Sequence, residues 1–394
     1  MTLWLDRGDA IPAGVPVTHA LVVGVSRYAH LPPPDADPSE DPLKFGLVGA
    51  TTPATGAFRF AKWLRDRFRP PAPLASVRLL LSPSDLELRD IELAAAAAQV
   101  ESATTPLVRR ALLDWLEACQ QQPDGMAVLY LSGHGASQSK TDHLVLLEDF
   151  AADQLVMDYS VDVGKVHRGM AGPSLPRIQF FFIDACRIRP DAFNQYRTSG
   201  NGLGLPEEWA GEDNRAAPVY FSASPGTAAL GEPGEGTLFS QALLHCLEGM
   251  AVDDFPDGEG RFRITESSLR IALEQRVADL ADGYGEAQEV VVGGQVRGSV
   301  LHYFEQPPEL SVAIELRPGE AVPVAWADLW DRDREARILE DCRFELNPMT
   351  WTVPAGMYSL DVTIRPDTPP LQSKTGLPIA VAPRILGPRK VRLA

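Results

Sequence analysis

"MAVLYLSGHG", residues 126–135, and "IQFFFIDACR", residues 178–187, are the two stretches on which the fold turns. Each is an apolar run of strand length, broken in the second only by Gln179, that ends in small and polar residues. Such a run, without polar alternation, is the pattern of a strand buried on both faces, as in a parallel sheet covered by helices. In open sheets of that kind the working groups stand beyond the carboxyl ends of the strands. The first run leaves Ser132, His134 and Gly135 there, and the second leaves Asp184, Cys186 and Arg187. A thiol is a weak nucleophile until a base takes its proton, and an imidazole does this near neutral pH. His134 and Cys186 stand 52 residues apart, after different strands. If those strands are neighbours in a parallel sheet, the two side chains meet at one edge.

Working outward, "THALVVGV" from Thr18, "VRLLLS" (77–82) and "APVYFSAS" (217–224) read as further buried strands. Helices alternate with them. "GAFRFAKWLRDRF" places Phe60, Trp63, Leu64 and Phe68 on one face. "TTPLVRRALLDWLEACQ" repeats Val108, Ala111, Leu112, Trp115, Leu116 and Cys119 at helical spacing, with Thr105 as its cap. "TLFSQALLHCLEGM" and "TESSLRIALEQRVADL" follow, the latter with Thr265 and Ser267 as rival caps. "RDIELAAAAAQVESA" reads as a weak helix or a connection. The alternation predicts an α/β fold, a mostly parallel sheet with helices on both faces. Cys119 and Cys246 fall on apolar helix stripes and read as core.

The composition changes near residue 305: the last 90 residues hold twelve of the 34 prolines, between short alternating runs such as "ELSVAIELRPG". This predicts three parts: an N-terminal segment (1–18), an α/β domain (19–304) and a small β-rich interaction domain (305–394). The 394 residues carry 53 acids against 36 bases, a net charge of −17. So acidic a chain is poorly suited to phosphate backbones, and no basic stripe with interleaved aromatics appears, so no nucleic-acid partner is expected. No apolar run reaches membrane-spanning length, and nothing near Met1 resembles a signal peptide. None of the four cysteines has a partner at C-x-x-C spacing, which favours a reducing compartment over a disulfide framework and leads us to expect a cytoplasmic protein. The remaining histidines, His143, His167, His245 and His302 among them, show no metal-ligand spacing. "DDFPDGEG" (253–260) lacks the glutamate and spacing of a calcium loop, so no metal and no cofactor are expected, and no calcium requirement is indicated.

The boxes "VLYLSGHG" and "FFFIDACR" resemble those of caspase-like cysteine peptidases, a group that includes caspases, metacaspases and prokaryotic relatives. "LVVGVSRYAHLP", "YFSASPGTAA" and "GTLFSQALLHCL" resemble the family's first strand, groove strand and following helix. The resemblance implies a cysteine endopeptidase with His134 as base, Cys186 as nucleophile, and an oxyanion hole formed by the backbone N–H groups of Gly135 and Cys186. It implies that Asp184, with Ser132, selects Arg or Lys before the cut, as acids do in metacaspases. The segment "FGLVGATTPATGAF", where that group offers a further acid, has none here. Arg27 is the rival, acid-selecting candidate. The stretch from Cys186 to residue 217 is long and rich in Gly, Pro and charge. It matches the segment often cut on activation, with Arg197 and Arg215 as expected processing points. The resemblance further implies protein substrates, an activating protease or regulator as partner, and a bacterial defence or signalling role. The competing expectation is a catalytically silent caspase-like adaptor that works by binding.

Overall fold

The computed structural model describes residues 2–137, 143–187, 202–207, 213–223, 231–232, 234–365, 371–383 and 388–393. They form two compact units, one from residues 1–246 with 265–303 and one from 247–264 with 304–394. In the first unit seven strands among the described residues build one sheet: β1 (Leu3–Asp6), β2 (Thr18–Val25), β3 (Leu74–Ser82), β4 (Met126–Gly133), β5 (Ile178–Ala185), β6 (Ala217–Phe221) and β7 (Val291–Gln295). Their spatial order is β1-β3-β2-β4-β5-β6-β7. The five central strands are parallel. The edge strands β1 and β7 run antiparallel to their neighbours.

Helices cover the sheet: α1 (Pro53–Asp66), α2 (Ile91–Ala97), α3 (Thr105–Cys119), α4 (Val163–Gly169), α5 (Leu238–His245) and α6 (Glu266–Gly283). Successive strand residues point to opposite faces, so each central strand serves two cores. Leu21, Val23, Leu129, Leu131, Phe181 and Ile183 share one core with Val108, Ala111, Leu112 and Trp115 of α3 and Val166 of α4. On the other face Phe60 of α1 stacks on Tyr130 at 4.8 Å and meets Phe182 edge-on at 5.5 Å, and Phe182 stacks on Tyr220. The α1 helix can press this closely because Gly24 lies beneath it: a Cβ there would stand 2.5 Å from Cβ of Ala57.

Local chemistry settles points that periodicity left open. The alanine-rich stretch is helical because Asp90 caps it, accepting from the N–H groups of Glu92 and Leu93. Thr265 caps α6 in a reciprocal box with Ser268, so Ser267 is simply helical. The expected cap Thr105 is instead the first residue of α3; Thr104 precedes it, and the Thr105 amide and hydroxyl both bond Asp149, at 2.9 and 2.8 Å. Residues 1–18 do not stand apart either, since Leu3–Asp6 pairs along β3 as the sheet's edge.

In the second unit, seven strands among the described residues form a three-stranded and a four-stranded sheet. Leu310, Val312, Ile314 and Leu316 alternate inward from Glu309–Arg317 and join Ala327, Leu329, Leu360, Val362 and Ile379 in one core. Residues 247–264 lie with this unit, so the division is not a single cut near 304.

Candidate active site

The β4–β5 ladder sets Ser132 opposite Asp184 and Gly133 opposite Ala185. His134 and Cys186 therefore leave the sheet at the same level, on adjacent parallel strands. The two chains stay close beyond the ladder. A Cβ on Gly135 would lie 2.2 Å from the Cys186 carbonyl oxygen and 2.9 Å from Cβ of Ala185. Only glycine fits there without moving the Cys186 backbone, and this requirement comes from the protein itself, before any substrate arrives.

His134 is held from three sides. Its Nε2 lies 2.6 Å from the carbonyl oxygen of Val48, which can only accept, so Nε2 carries the proton and Nδ1 keeps a lone pair. Its ring stacks on Tyr28 with centroids 4.9 Å apart. The Tyr28 hydroxyl accepts the His134 backbone N–H at 2.7 Å, while the His134 carbonyl accepts from Leu146 N–H at 2.8 Å. Burial pushes the imidazole pKa down, with the Val48 hydrogen bond acting in the other direction. The ring is thus neutral near pH 7, the state a base requires. Tyr28 and Val48 were not legible as site residues. Val48 lies inside the segment searched for an acid, and what it contributes is a main-chain carbonyl.

Asp184 is buried, 1% exposed, at the end of β5. Its Oδ2 accepts from the hydroxyls of Thr237 at 2.5 Å, Tyr130 at 2.9 Å and Ser132 at 3.2 Å. Its Oδ1 is buried and has no hydrogen bond of ordinary geometry; the Ser222 hydroxyl is near enough to favour the ionised carboxylate but donates to the Ala185 carbonyl at 3.2 Å. Burial raises the carboxyl pKa to about 6, against the pull of the surrounding hydroxyls, that of Thr237 first. Ser132 and Asp184 therefore do form one cluster. Thr237 was missed, although its position as the cap of α5, accepting from Ser240 N–H, was open to a motif search.

Other candidates find different uses. Arg27 pairs with Glu148 at 2.7 Å, and Ser82 donates to the second oxygen of that carboxylate at 2.7 Å. Arg187 stacks its guanidinium over Phe221 at 4.5 Å. His167 Nε2 lies 3.1 Å from the Ala217 carbonyl, and His302 Nδ1 accepts from Arg69 N–H at 2.9 Å. Cys119 and Cys246 are fully buried. Burial drives both thiols up, Cys246 to about 12. Asp253 and Asp257 of the acidic turn bond Arg263 and Arg261. Among the described residues no cluster of His, Cys, Asp and Glu suits a metal ion, and no helix is long and apolar enough to cross a membrane.

Of the two expected processing points, Arg197 lies outside the described residues. Arg215 is not the accessible residue that a processing point has to be. It is only 5% exposed, forms a bidentate pair with Asp213, and donates to the His167 carbonyl and to Gln179 Oε1, both at 2.9 Å. A protease needs an extended, accessible chain, and this arginine is a structural clamp. Arg215→Ala is expected to lower unfolding stability by on the order of 2 kcal/mol in a denaturant titration, because Gln179 Oε1 and the His167 carbonyl lose their donor and Asp213 its charge partner. Mass spectrometry of native protein after incubation should find no new N-terminus at Ala216.

Among known proteins, the family model of the Caspase domain (Peptidase_C14), a family of cysteine peptidases, matches residues 86–259, which include both boxes. "Uncharacterized protein y4kE" of Sinorhizobium fredii (strain NBRC 101917 / NGR234) is 25% identical over 323 residues, 75% of this chain and 85% of its own. Caspase-1 from Spodoptera frugiperda is 14% identical with a TM-score of 0.42, over 74% of this chain and 94% of that one. Residues 86–246 of the first unit fall within the Caspase-domain match, and the unit as a whole is a seven-stranded mixed sheet flanked by helices, with additional β-rich sheets in the C-terminal region.

Proposed function

We propose that the chain is a cysteine endopeptidase that cuts protein substrates after Arg or Lys, with Cys186 as nucleophile and His134 as base. Nδ1 of His134 takes the thiol proton, and the thiolate adds to the scissile carbonyl carbon. The backbone N–H groups of Gly135 and Cys186 donate to the resulting oxyanion. Collapse of this intermediate breaks the C–N bond. The amine leaves with the proton held by His134, and a thioester to Cys186 remains. Water, deprotonated by the same imidazole, then hydrolyses the thioester and restores the thiol. No cofactor enters any of these steps.

The observation that carries this reading is the register that delivers His134 and Cys186 to one sheet edge, with Nδ1 left as the basic nitrogen. Specificity is supported by the buried Oδ1 of Asp184, which lacks a hydrogen bond of ordinary geometry. A buried lone pair without a donor typically costs about 1–3 kcal/mol, and a guanidinium or ammonium from the substrate would recover it. Control by cleavage in the segment that holds Arg197, by the enzyme itself or a partner protease, remains part of the proposal. Arg215 does not. A peptide-library cleavage profile of the purified protein tests the whole. Cuts should concentrate after Arg and Lys. A profile dominated by Asp would return Arg27 to the pocket, and no cleavage at all would favour a silent scaffold.

A further inference from the structure

A cavity of about 770 Å³ opens at the carboxyl ends of β2 and β3. Leu31, Leu86 and the run Pro32–Pro34 give it an apolar wall, and its charged lining is mixed, Asp35 and Asp85 beside Arg27 and Arg89. Its lining includes Tyr28, the residue that stacks on His134 and accepts that residue's N–H. It also includes Gly49, next to the carbonyl that holds His134 Nε2. None of this belongs to the cluster around Asp184.

The order of strands gives the cavity a direction. From β5, which bears Cys186, the sheet passes to β4 with His134, then to β2 with Tyr28, then to β3. Ser84, Asp85, Leu86 and Arg89, just after β3, form the far wall. The cavity therefore lies beyond His134 as seen from Cys186. In acyl transfer the base that takes the nucleophile's proton gives it to the departing amine. The departing half of the substrate must accordingly leave on the base's side.

We propose that this cavity seats the peptide that follows the scissile bond. An apolar or aromatic side chain of that peptide packs on Leu31, Leu86 and the proline rings, while its newly freed amino terminus stays beside His134, which protonated it. The inference rests on the peptidase reading and adds a second determinant of substrate choice to the pocket at Asp184. The volume lies within the range typical of ligand pockets and holds a short peptide but not a folded domain.

Two substrate series test it. One is a set of internally quenched peptides that share the residues before the cut and vary those after it. The other is a peptidyl coumarin amide, which has the same residues before the cut and no peptide beyond it. Peptides with Leu or Phe after the cut should exceed those with Gly or Asp by about tenfold or more in kcat/KM. Leu86→Arg should lower kcat/KM by about tenfold on the extended apolar peptides and leave the coumarin amide within about twofold. Leu86→Ala, which removes the same apolar wall without adding a charge, serves as the second variant and should weaken the extended apolar peptides alone. Equal losses on both series, or a flat preference after the cut, would overturn the assignment. If the wild type cleaves the coumarin amide while the extended series is flat, only the cavity assignment fails. If it cleaves neither, the peptidase reading fails first.

Discussion

Cys186→Ala and His134→Ala are each expected to reduce peptide cleavage by at least about 10⁴-fold, as loss of a nucleophile or its base does in comparable hydrolases. The two losses should not add, because the pair acts as one unit. The physical reason is the arrangement at the ends of β4 and β5. The ladder fixes their level, Val48 fixes the tautomer, and Tyr28 fixes the plane of the imidazole. Cys186→Ala removes a half-buried thiol and should leave thermal unfolding nearly unchanged. His134→Ala also removes the Tyr28 stack and the Val48 bond, and should cost about 1–2 kcal/mol of stability. A chloromethyl ketone or similar electrophile separates chemistry from folding. It should label Cys186 in native wild type and spare Cys119 and Cys246, whose thiols are buried and held protonated. In His134→Ala the labelling of Cys186 should slow sharply at pH 7 and recover toward alkaline pH, where the thiol ionises unaided. Undiminished turnover by Cys186→Ala would exclude the mechanism outright.

How much of this was legible in the chain follows from which forces write themselves into sequence. Burial on two faces leaves an unbroken apolar run, so the central strands, and with them the parallel sheet, could be read directly. Helix stripes did the same for α1, α3, α5 and α6. The proposed dyad was legible because its chemistry needs particular residue types at strand ends. Its supports were not. Val48 acts through its carbonyl, which every residue owns, and Tyr28 is one aromatic among many until the loop after β2 folds over β4. Arg215 shows the converse error. Its neighbours Gly, Pro, Glu and Asp suggest an open loop, yet Asp213 two residues before it and Gln179 on β5 make it a buried clamp. Partners distant in sequence decide burial, and composition does not record them. Likewise the edge strand Leu3–Asp6 is too short to show periodicity, and only its pairing with β3 reveals it.

Asp184→Asn is expected to do two opposite things, and their combination is diagnostic. At pH 7 the wild-type carboxyl is ionised although buried among hydroxyls, and loss of solvent raises its pKa from 3.8 to about 6. A group raised in the folded state lends stability that is fully present below about pH 3.8 and is lost as pH rises through about 6. Near neutrality its ionisation therefore costs the fold up to about 3 kcal/mol, the gap between 3.8 and about 6 taken at about 1.36 kcal/mol per pH unit. An asparagine side chain at this position carries no charge, and its amide oxygen can still accept from the surrounding hydroxyls. The variant should accordingly be more stable than wild type at pH 7, and the advantage should vanish by about pH 4, read from denaturant midpoints at both. For catalysis the sign reverses. A substrate cation loses its charged partner, a change of about 2–5 kcal/mol, so kcat/KM after Arg or Lys should fall by about 30-fold or more. Wild-type kcat/KM on such substrates should also decline about tenfold per unit below about pH 6, as Asp184 takes up its proton. The residual activity of Asp184→Asn should lack that limb and fall only where His134 protonates, at a pH below its ordinary range because burial disfavours the imidazolium. A structural carboxylate would give the stability change without the selective loss on basic substrates. If Asp184→Asn keeps wild-type turnover after Arg and Lys, the carboxylate does not read the substrate.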